Sequence, residues 1–180
     1  MVAACPYPTA QGTQALIGEL GRGLHDRGHE VHLVCYHHGA FARPEPFPVH
    51  RTPAVPGYRR LRSGPDAAKP ALDLLLALRT AQVVRRHGCA LIHAHNYEGA
   101  LAGALAARAC GVPLVYHAHN LMADELPRYQ RRPTLRPLLR GLGIALDRTV
   151  PRLGDRVLAL HELLPLCLLG DLLKEDLVPV

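Results

Sequence analysis

Aromatic residues make up only 4% of this 180-residue chain, and lysine occurs just twice, at Lys69 and Lys174. Proteins that thread single-stranded nucleic acid stack bases on rings set between basic residues, and neither arginine-rich stretch here follows that pattern. No zinc-finger, basic-zipper or RNP-type spacing occurs either, so nucleic acid is not an expected partner. The five cysteines, Cys5, Cys35, Cys89, Cys110 and Cys167, are odd in number and never form a C-x-x-C pair. That argues against a disulfide framework and for a reduced, cytoplasmic setting. The first residues carry no basic region followed by an apolar run, so a cleaved signal is not expected. The most apolar stretch, 158–173, is interrupted by His161, Glu162, Pro165 and Asp171. It is too short and too polar for a bilayer span.

What is present describes a packed domain: 48% hydrophobic and 20% charged residues, in a length with room for one core and not two. Sixteen glycines and sixteen prolines punctuate apolar segments and form no low-complexity tract, which excludes collagen-like and disordered chains. The net charge of +6, with histidines neutral, rests almost wholly on arginine. Arginine favours planar, bidentate partners such as phosphate and carboxylate. One concentration holds Arg51, Arg59, Arg60 and Arg62; the other runs through Arg128, Arg131, Arg132, Arg136, Arg140, Arg148, Arg152 and Arg156. The second has two readings, a solvated helix face or a patch that meets anionic lipid.

Short β-like runs alternate with longer helical ones, the sign of βαβ units and an α/β fold with an open parallel sheet. Residues 2–5 make a clipped first strand, and a loop over 6–12 enters a helix marked by Leu16, Leu20 and Leu24 that ends near Gly28. Residues 31–35 alternate as a second strand. The segment 41–70, rich in Pro, Gly and Arg, reads as loop with one strand around Val49. Beyond it the pattern predicts helix over 71–87, strand over 90–93, helix over 98–110 and strand over 114–117. It continues with helix over 135–150, strand over 157–160, a Pro165-interrupted helix over 163–173 and a strand start at 177–180.

One tetrapeptide, His-Ala-His-Asn, occurs twice, at His93 to Asn96 and at His117 to Asn120, each time where a strand run ends. In open parallel sheets ligands bind outside the carboxyl ends of strands, so these residues are site candidates. Residues two apart on a strand share a face, so each pair can converge. Four imidazoles on neighbouring strand ends would suit zinc, although no cysteine or carboxylate completes a familiar spacing. The plainer alternative buries His93 and His117 against a helix layer, each bonded to a backbone carbonyl. A second cluster is the loop from Pro6 to Gln14, where Gly12 at a strand–helix junction would let backbone N–H groups approach an anion. The competing reading is a turn glycine beside a Thr13 cap. Glu98, Asp124 and Glu125 follow the two tetrapeptides and are candidates to accept hydrogen bonds from hydroxyls; Glu98 equally suits a helix first turn. The glycines at 21, 23 and 28 have the wrong spacing for a dinucleotide fingerprint.

Taken in order, several segments resemble the N-terminal domain of family 4 retaining glycosyltransferases. They are Pro8 to Gln14 with its helix, Arg27-Gly28-His29-Glu30-Val31, Leu91-Ile92-His93-Ala94-His95, Val112-Pro113 through His119, and Gly154 through Leu160. The resemblance implies a Rossmann-like domain with helices on both faces, one half of a two-domain GT-B enzyme. That half binds the acceptor, and the absent C-terminal half binds the nucleotide sugar. It further implies a glycine-bearing loop facing the donor diphosphate, here Gln11, Gly12 and Thr13, with Gln11 standing where the first of two glycines would be. His119 matches the strand-end histidine near the reacting sugar, and His95, Asn96, Glu98, Asn120, Asp124 and Glu125 become acceptor-binding candidates. No metal or other cofactor is implied, the nucleotide sugar being a substrate. The expected partners are that donor, a sugar or lipid-linked acceptor, the missing domain in cis or trans, and an anionic membrane surface. The expected place is the cytoplasm, at the inner face of the membrane, and the chain alone is expected to be inactive. The alternatives are a non-catalytic module that binds sugars or lipid headgroups, and a histidine-based metal site.

Overall fold

The computed structural model describes residues 1–40, 44–59, 66 and 68–159. Its strands are β1 (Val2–Ala3), β2 (Leu33–Cys35), β3 (Val49–Arg51), β4 (Ile92–His95), β5 (Leu114–Ala118) and β6 (Arg156–Ala159). Its helices are α1 (Gly12–Asp26), α2 (Lys69–His87), α3 (Asn96–Cys110), α4 (Met122–Arg128) and α5 (Arg136–Thr149), with single 3₁₀ turns on either side of α5. The strands form one six-stranded sheet in the order β3-β2-β1-β4-β5-β6, every neighbouring pair parallel. Such sheets are buried on both faces, and the parity of each strand shows how.

Val2, Val34, Ile92, Ala94, Leu114 and Tyr116 face one layer, packed with Leu72 and Leu76 of α2 and the alanines of α3. Ala3, Leu33 and Cys35 face the other way, against Ile17 of α1. Helices therefore cover both faces, and the Rossmann-like α/β expectation holds. Small residues set how closely α3 lies on the sheet. A Cβ at Gly103 would come within 3.1–3.2 Å of Leu114, Ala94 and Val2, and one at Gly99 within 3.3 Å of the Val2 carbonyl oxygen. The first turn of α3 is thereby held directly over β1 and β4. At the other end, Gly88 and Gly111 close α2 and α3 in left-handed conformation (φ 62° and 69°), which only glycine adopts without strain.

Several boundaries differ from those the sequence predicts, each for a tertiary reason. The strand expected over 90–93 is Ile92–His95, because Ala94 and His95 pair with Val2 and Ala3 of β1 while Ile92 pairs with Leu114. The first His-Ala-His-Asn thus lies inside the strand, with Asn96 opening α3 two residues before the expected Glu98. The first strand keeps only Val2–Ala3, and the second begins at Leu33. α2 begins at Lys69, two residues early, with Pro70 in its first turn, where its missing N–H costs nothing. β5 runs one residue longer, to Ala118, and β6 begins one residue earlier, at Arg156. α4 was not anticipated, since Pro127 and flanking arginines mask a seven-residue helix. Thr13 does not cap α1; the cap position is Gln11, whose side chain makes no capping bond. The elements expected over 163–173 and 177–180 lie outside the described residues, and no helix within them is long and apolar enough to cross a membrane.

Gly143 of α5 lies so close to α4 that a Cβ there would collide with the Met122 carbonyl oxygen and the Ala123 backbone. Backbone cannot yield as a flexible side chain would. Gly143→Ala is expected to destabilise the domain by about 1–3 kcal/mol, read as a lowered midpoint in thermal or urea unfolding.

Candidate functional site

The sheet order reverses between β1 and β4, so the crevice outside their carboxyl ends is the topological switch point at which open α/β folds bind ligands. Two segments border it: the loop from β1 into α1, and the β4–α3 junction. The loop is buried over Ala4–Thr9 and braced from behind. Tyr7 N–H donates to the His38 carbonyl (3.2 Å), Ala40 N–H donates to the Pro8 carbonyl (2.9 Å), and Gly39 packs where any Cβ would strike the Tyr7 carbonyl. The Glu45 carboxylate, 2% exposed, accepts from Tyr7 Oη and from Arg22 Nη1, both at 2.6 Å. Arg22 also meets Glu19 on its own helix (2.8 Å), and these two carboxylates push its already high pKa up further.

α1 begins beyond this brace with no side-chain cap and no acidic residue in its first turn. Its leading N–H groups have no intrahelical partner and carry the positive end of the helix dipole. Gly12, exposed, has nothing within 4 Å of where a Cβ would stand, leaving open space above the first turn. Gln11 and Gln14 side chains meet at 3.5 Å just below. The open, uncapped turn at Gln11, Gly12 and Thr13 is a candidate for holding an anion.

Across the crevice, His93 and His95 alternate with Ile92 and Ala94 along β4, while His117 sits beside His95 in register on β5 and His119 follows. All four lie on the same face of the sheet as Ala3 and α1, and all are buried. Their rings form a ladder with centroids 4.5 Å apart for His93–His95, 5.3 Å for His95–His117 and 4.6 Å for His117–His119. His95 Nδ1 and His119 Nε2 share a hydrogen bond of 3.2 Å. Burial disfavours the imidazolium, so His93 is pushed down to about 3 and His119 to about 4, while His95 and His117 are lowered as well. The repulsion each ring would feel from a charged neighbour adds to this for His93, His95 and His119. At neutral pH the ladder is uncharged. His93 Nε2, His95 Nε2 and both nitrogens of His117 have no hydrogen-bond partner, so the expectation that backbone carbonyls satisfy His93 and His117 is not met. One nitrogen each from His93, His95 and His117 lies within 4.8 Å of the others, so this trio could hold a metal ion.

The remaining candidates lie around this pair of features with unequal freedom. Asn96, half-buried at the β4–α3 junction, takes a left-handed backbone (φ 63°), a conformation asparagine tolerates better than most residues and one that recurs at functional sites. Glu98 is bonded by Lys69 Nζ at 2.5 Å, which ties α2 to the first turn of α3. Asn120 is exposed and donates to Glu125 (3.3 Å), which also accepts from Tyr129 Oη (2.5 Å). Asp124, exposed on α4, lines a separate hollow with Arg128, Arg136 and Arg140.

Sequence reasoning missed the residue that holds the loop after His119 in place. Asp147 of α5, 3% exposed, accepts from the N–H groups of Met122 and Ala123, both at 2.9 Å, and from Tyr97 Oη. It caps α4 from another helix while its third donor comes from α3. The one available signal was a lone acid among the leucines and arginines of 136–149. The part-buried Tyr36–Asp73 bond (2.5 Å) and the Glu45 brace were equally invisible, because their partners lie far apart in the chain.

Asp147→Ala strands two backbone donors and a buried phenol, and is expected to cost about 3 kcal/mol or more, measured by urea unfolding. The ladder predicts a pH dependence. An unfolded histidine titrates near 6.5, and the folded values lie below it, so the unfolded state binds more protons as pH falls. The ladder's contribution is complete above about pH 6.5 and is lost as pH drops toward 4 and then 3. Stability should fall between about pH 6.5 and 5, above the ordinary carboxylate range, and His93→Gln should flatten that slope; a slope unchanged in the variant would contradict it.

Comparison with known proteins bears on the family and the fold. The model of Glycosyltransferase Family 4 matches residues 10–163. No curated protein sequence matches significantly. Among solved structures, Anabaena HepE in complex with UDP and glucose superposes with a TM-score of 0.60 at 17% identity, over 99% of this chain and 43% of that one. HepE with UDP-glucose superposes equally well (TM-score 0.60, 18% identity, 99% and 42% covered). The sucrose-phosphate synthase of Thermosynechococcus elongatus gives 0.61 at 16% identity, over 87% of this chain and 38% of that one. This chain therefore spans about two fifths of the length of these structures, and at such identities the likeness is one of fold. With the family model covering most of its length, the chain belongs to Glycosyltransferase Family 4 and has the fold of one half of a GT-B glycosyltransferase.

Proposed function

We propose that this chain is the acceptor-binding half of a retaining hexosyltransferase, acting with a nucleotide-sugar-binding half supplied in cis or trans. The observation that carries the proposal is the uncapped, open first turn of α1 at Gly12, set at the switch point beside the buried imidazoles of β4 and β5. A diphosphate leaving group would meet the N–H groups of Gln11, Gly12 and Thr13, where the helix dipole offsets the charge that develops on it. Neutral His119 would hydrogen-bond the donor hexose, its ring oriented by His95 at 3.2 Å. In retaining transfer on one face, the bond from the anomeric carbon to phosphate breaks and a bond to the acceptor oxygen forms. The acceptor's proton passes to the departing phosphate, so no protein nucleophile is required. His95, Asn96, Glu98, Asn120, Asp124 and Glu125 would line the acceptor side. The nucleotide sugar is a substrate in this reading, and no metal or other cofactor is invoked. UDP and glucose bound to Anabaena HepE support a nucleotide-sugar donor.

The acceptor side favours a phosphate-bearing lipid. Between α4 and α5 lies a hollow of about 470 Å³ lined by Arg128, Arg136 and Arg140. On the side of α5 turned away from the hollow, Leu138 and Leu142 stand 71% and 52% exposed. A helix that exposes both arginines and leucines suits an anionic membrane surface, which would put the protein at the cytoplasmic face of a membrane. The same hollow supports the second reading, a module that binds lipid headgroups or sugars without catalysis.

Three results test this. The 180-residue chain alone should show no transfer from UDP-glucose, and joined to a nucleotide-sugar-binding half it should gain transfer that His119→Ala lowers on the order of 10²-fold. Transfer by the isolated chain, or indifference to His119→Ala, would contradict the assignment. Arg136→Glu with Arg140→Glu should weaken binding to vesicles containing anionic lipid, and binding indifferent to lipid charge would remove the membrane surface from the proposal.

A further inference from the structure

The opposite edge of the sheet carries a second histidine cluster that the transferase reading does not use. His32 immediately precedes β2, His50 lies in β3 opposite Val34, two residues further along, and His87 occupies the last turn of α2. One ring nitrogen from each lies within 4.8 Å of the others. The ring centroids are 4.2 Å apart for His32–His87, 5.2 Å for His32–His50 and 5.4 Å for His50–His87. No sequence motif announces the trio, whose members stand 18 and 37 residues apart.

Hydrogen bonding already orients these rings. His32 Nε2 faces Glu30 Oε1 at 3.0 Å, and His32 Nδ1 faces His50 Nε2 at 2.9 Å. A carboxylate only accepts, so the neutral His32 ring carries its proton on Nε2 and presents a lone pair at Nδ1. His50 Nε2 is then the donor across the 2.9 Å contact. This is the carboxylate–histidine arrangement that fixes ring tautomers at metal centres.

We propose that His32 Nδ1, His50 Nε2 and a ring nitrogen of His87 form a binding site for a divalent transition-metal ion of the zinc type, with Glu30 orienting His32. Three neutral imidazoles leave one tetrahedral position open, a donor set suited to zinc. Metal entry replaces the proton between His32 and His50. The His50 ring proton moves from Nε2 to Nδ1, and no net proton is released. Ligand nitrogens around tetrahedral zinc stand about 3.3 Å apart, given bonds of about 2.0–2.1 Å. The His32–His50 pair is already near that span, and the exposed His87 ring at the helix end has room to rotate inward. The negative end of the α2 dipole favours a cation at the same place. The strand-end trio of His93, His95 and His117 is the rival. Its rings are more deeply buried, and no carboxylate among the described residues bonds them, so it lacks an orienting partner. A metal at the trio would fasten the three-residue edge strand β3 to β2 and to the end of α2.

Zinc titrated calorimetrically into chelator-stripped protein should bind one ion per chain and raise the unfolding midpoint, and cobalt should give the visible spectrum of a tetrahedral nitrogen site. His87→Ala, a surface change that leaves the core intact, should weaken zinc binding at least tenfold, as should His50→Ala. Glu30→Gln should weaken it about 10–100-fold. Absence of stoichiometric binding would overturn the proposal. So would binding that survives His87→Ala and His50→Ala but is lost in His93→Gln, which would move the ion to the strand-end rings.

Discussion

The parallel pairing of Val2 with Ala94 and Ala3 with His95 is the contact on which the rest of the carboxyl edge depends. It joins the two strands at which the sheet reverses direction, and so sets the N-terminus of α1 beside the first of the histidine pairs. β1 is only two residues long, yet both are fully buried, Val2 under α3 and Ala3 under α1. α3 can seat there because Gly99 and Gly103 carry no side chain where Val2, Ala94 and Leu114 approach. A register slip of one residue would turn His93 and His95 into the α3 layer and Ala94 toward α1.

Around that contact, polarity is buried on one side only. The face of β4 and β5 toward α3 is apolar, whereas the face toward α1 carries four imidazoles, three of them with unpartnered nitrogens. Buried polar atoms without a protein partner are costly, and here they are concentrated at the carboxyl edge of the sheet. The acids of the supporting shell are by contrast bonded. Glu45 joins Arg22 and Tyr7 behind the α1 loop, Lys69 joins Glu98 at the head of α3, and Asp147 holds the turn after His119. Each bridge links residues at least 23 positions apart, so each binds one layer of the fold to another.

Much of this was legible beforehand, and for identifiable reasons. Alternating apolar runs and leucine periodicity mark the strands and the helices α1, α2, α3 and α5, because burial on two faces demands that composition. The repeated His-Ala-His-Asn and Gly12 stood out as polar residues and a glycine where an apolar strand run gives way to a helix. What escaped was every feature made by distant partners: the two-residue shift of β4, the helix α4, the Asp147 cap, and the cluster of His32, His50 and His87.

The sequence by itself determined the order of elements, the parallel α/β class and the family likeness, because these follow from local periodicity and from motifs read in succession. Only the tertiary structure decided which histidines meet, which lose their charge and which acids are already bonded. Hydrogen-bond register and helix packing bring together residues that no local pattern relates, and burial then lowers the pKa of an imidazole that the sequence alone would leave near its ordinary value.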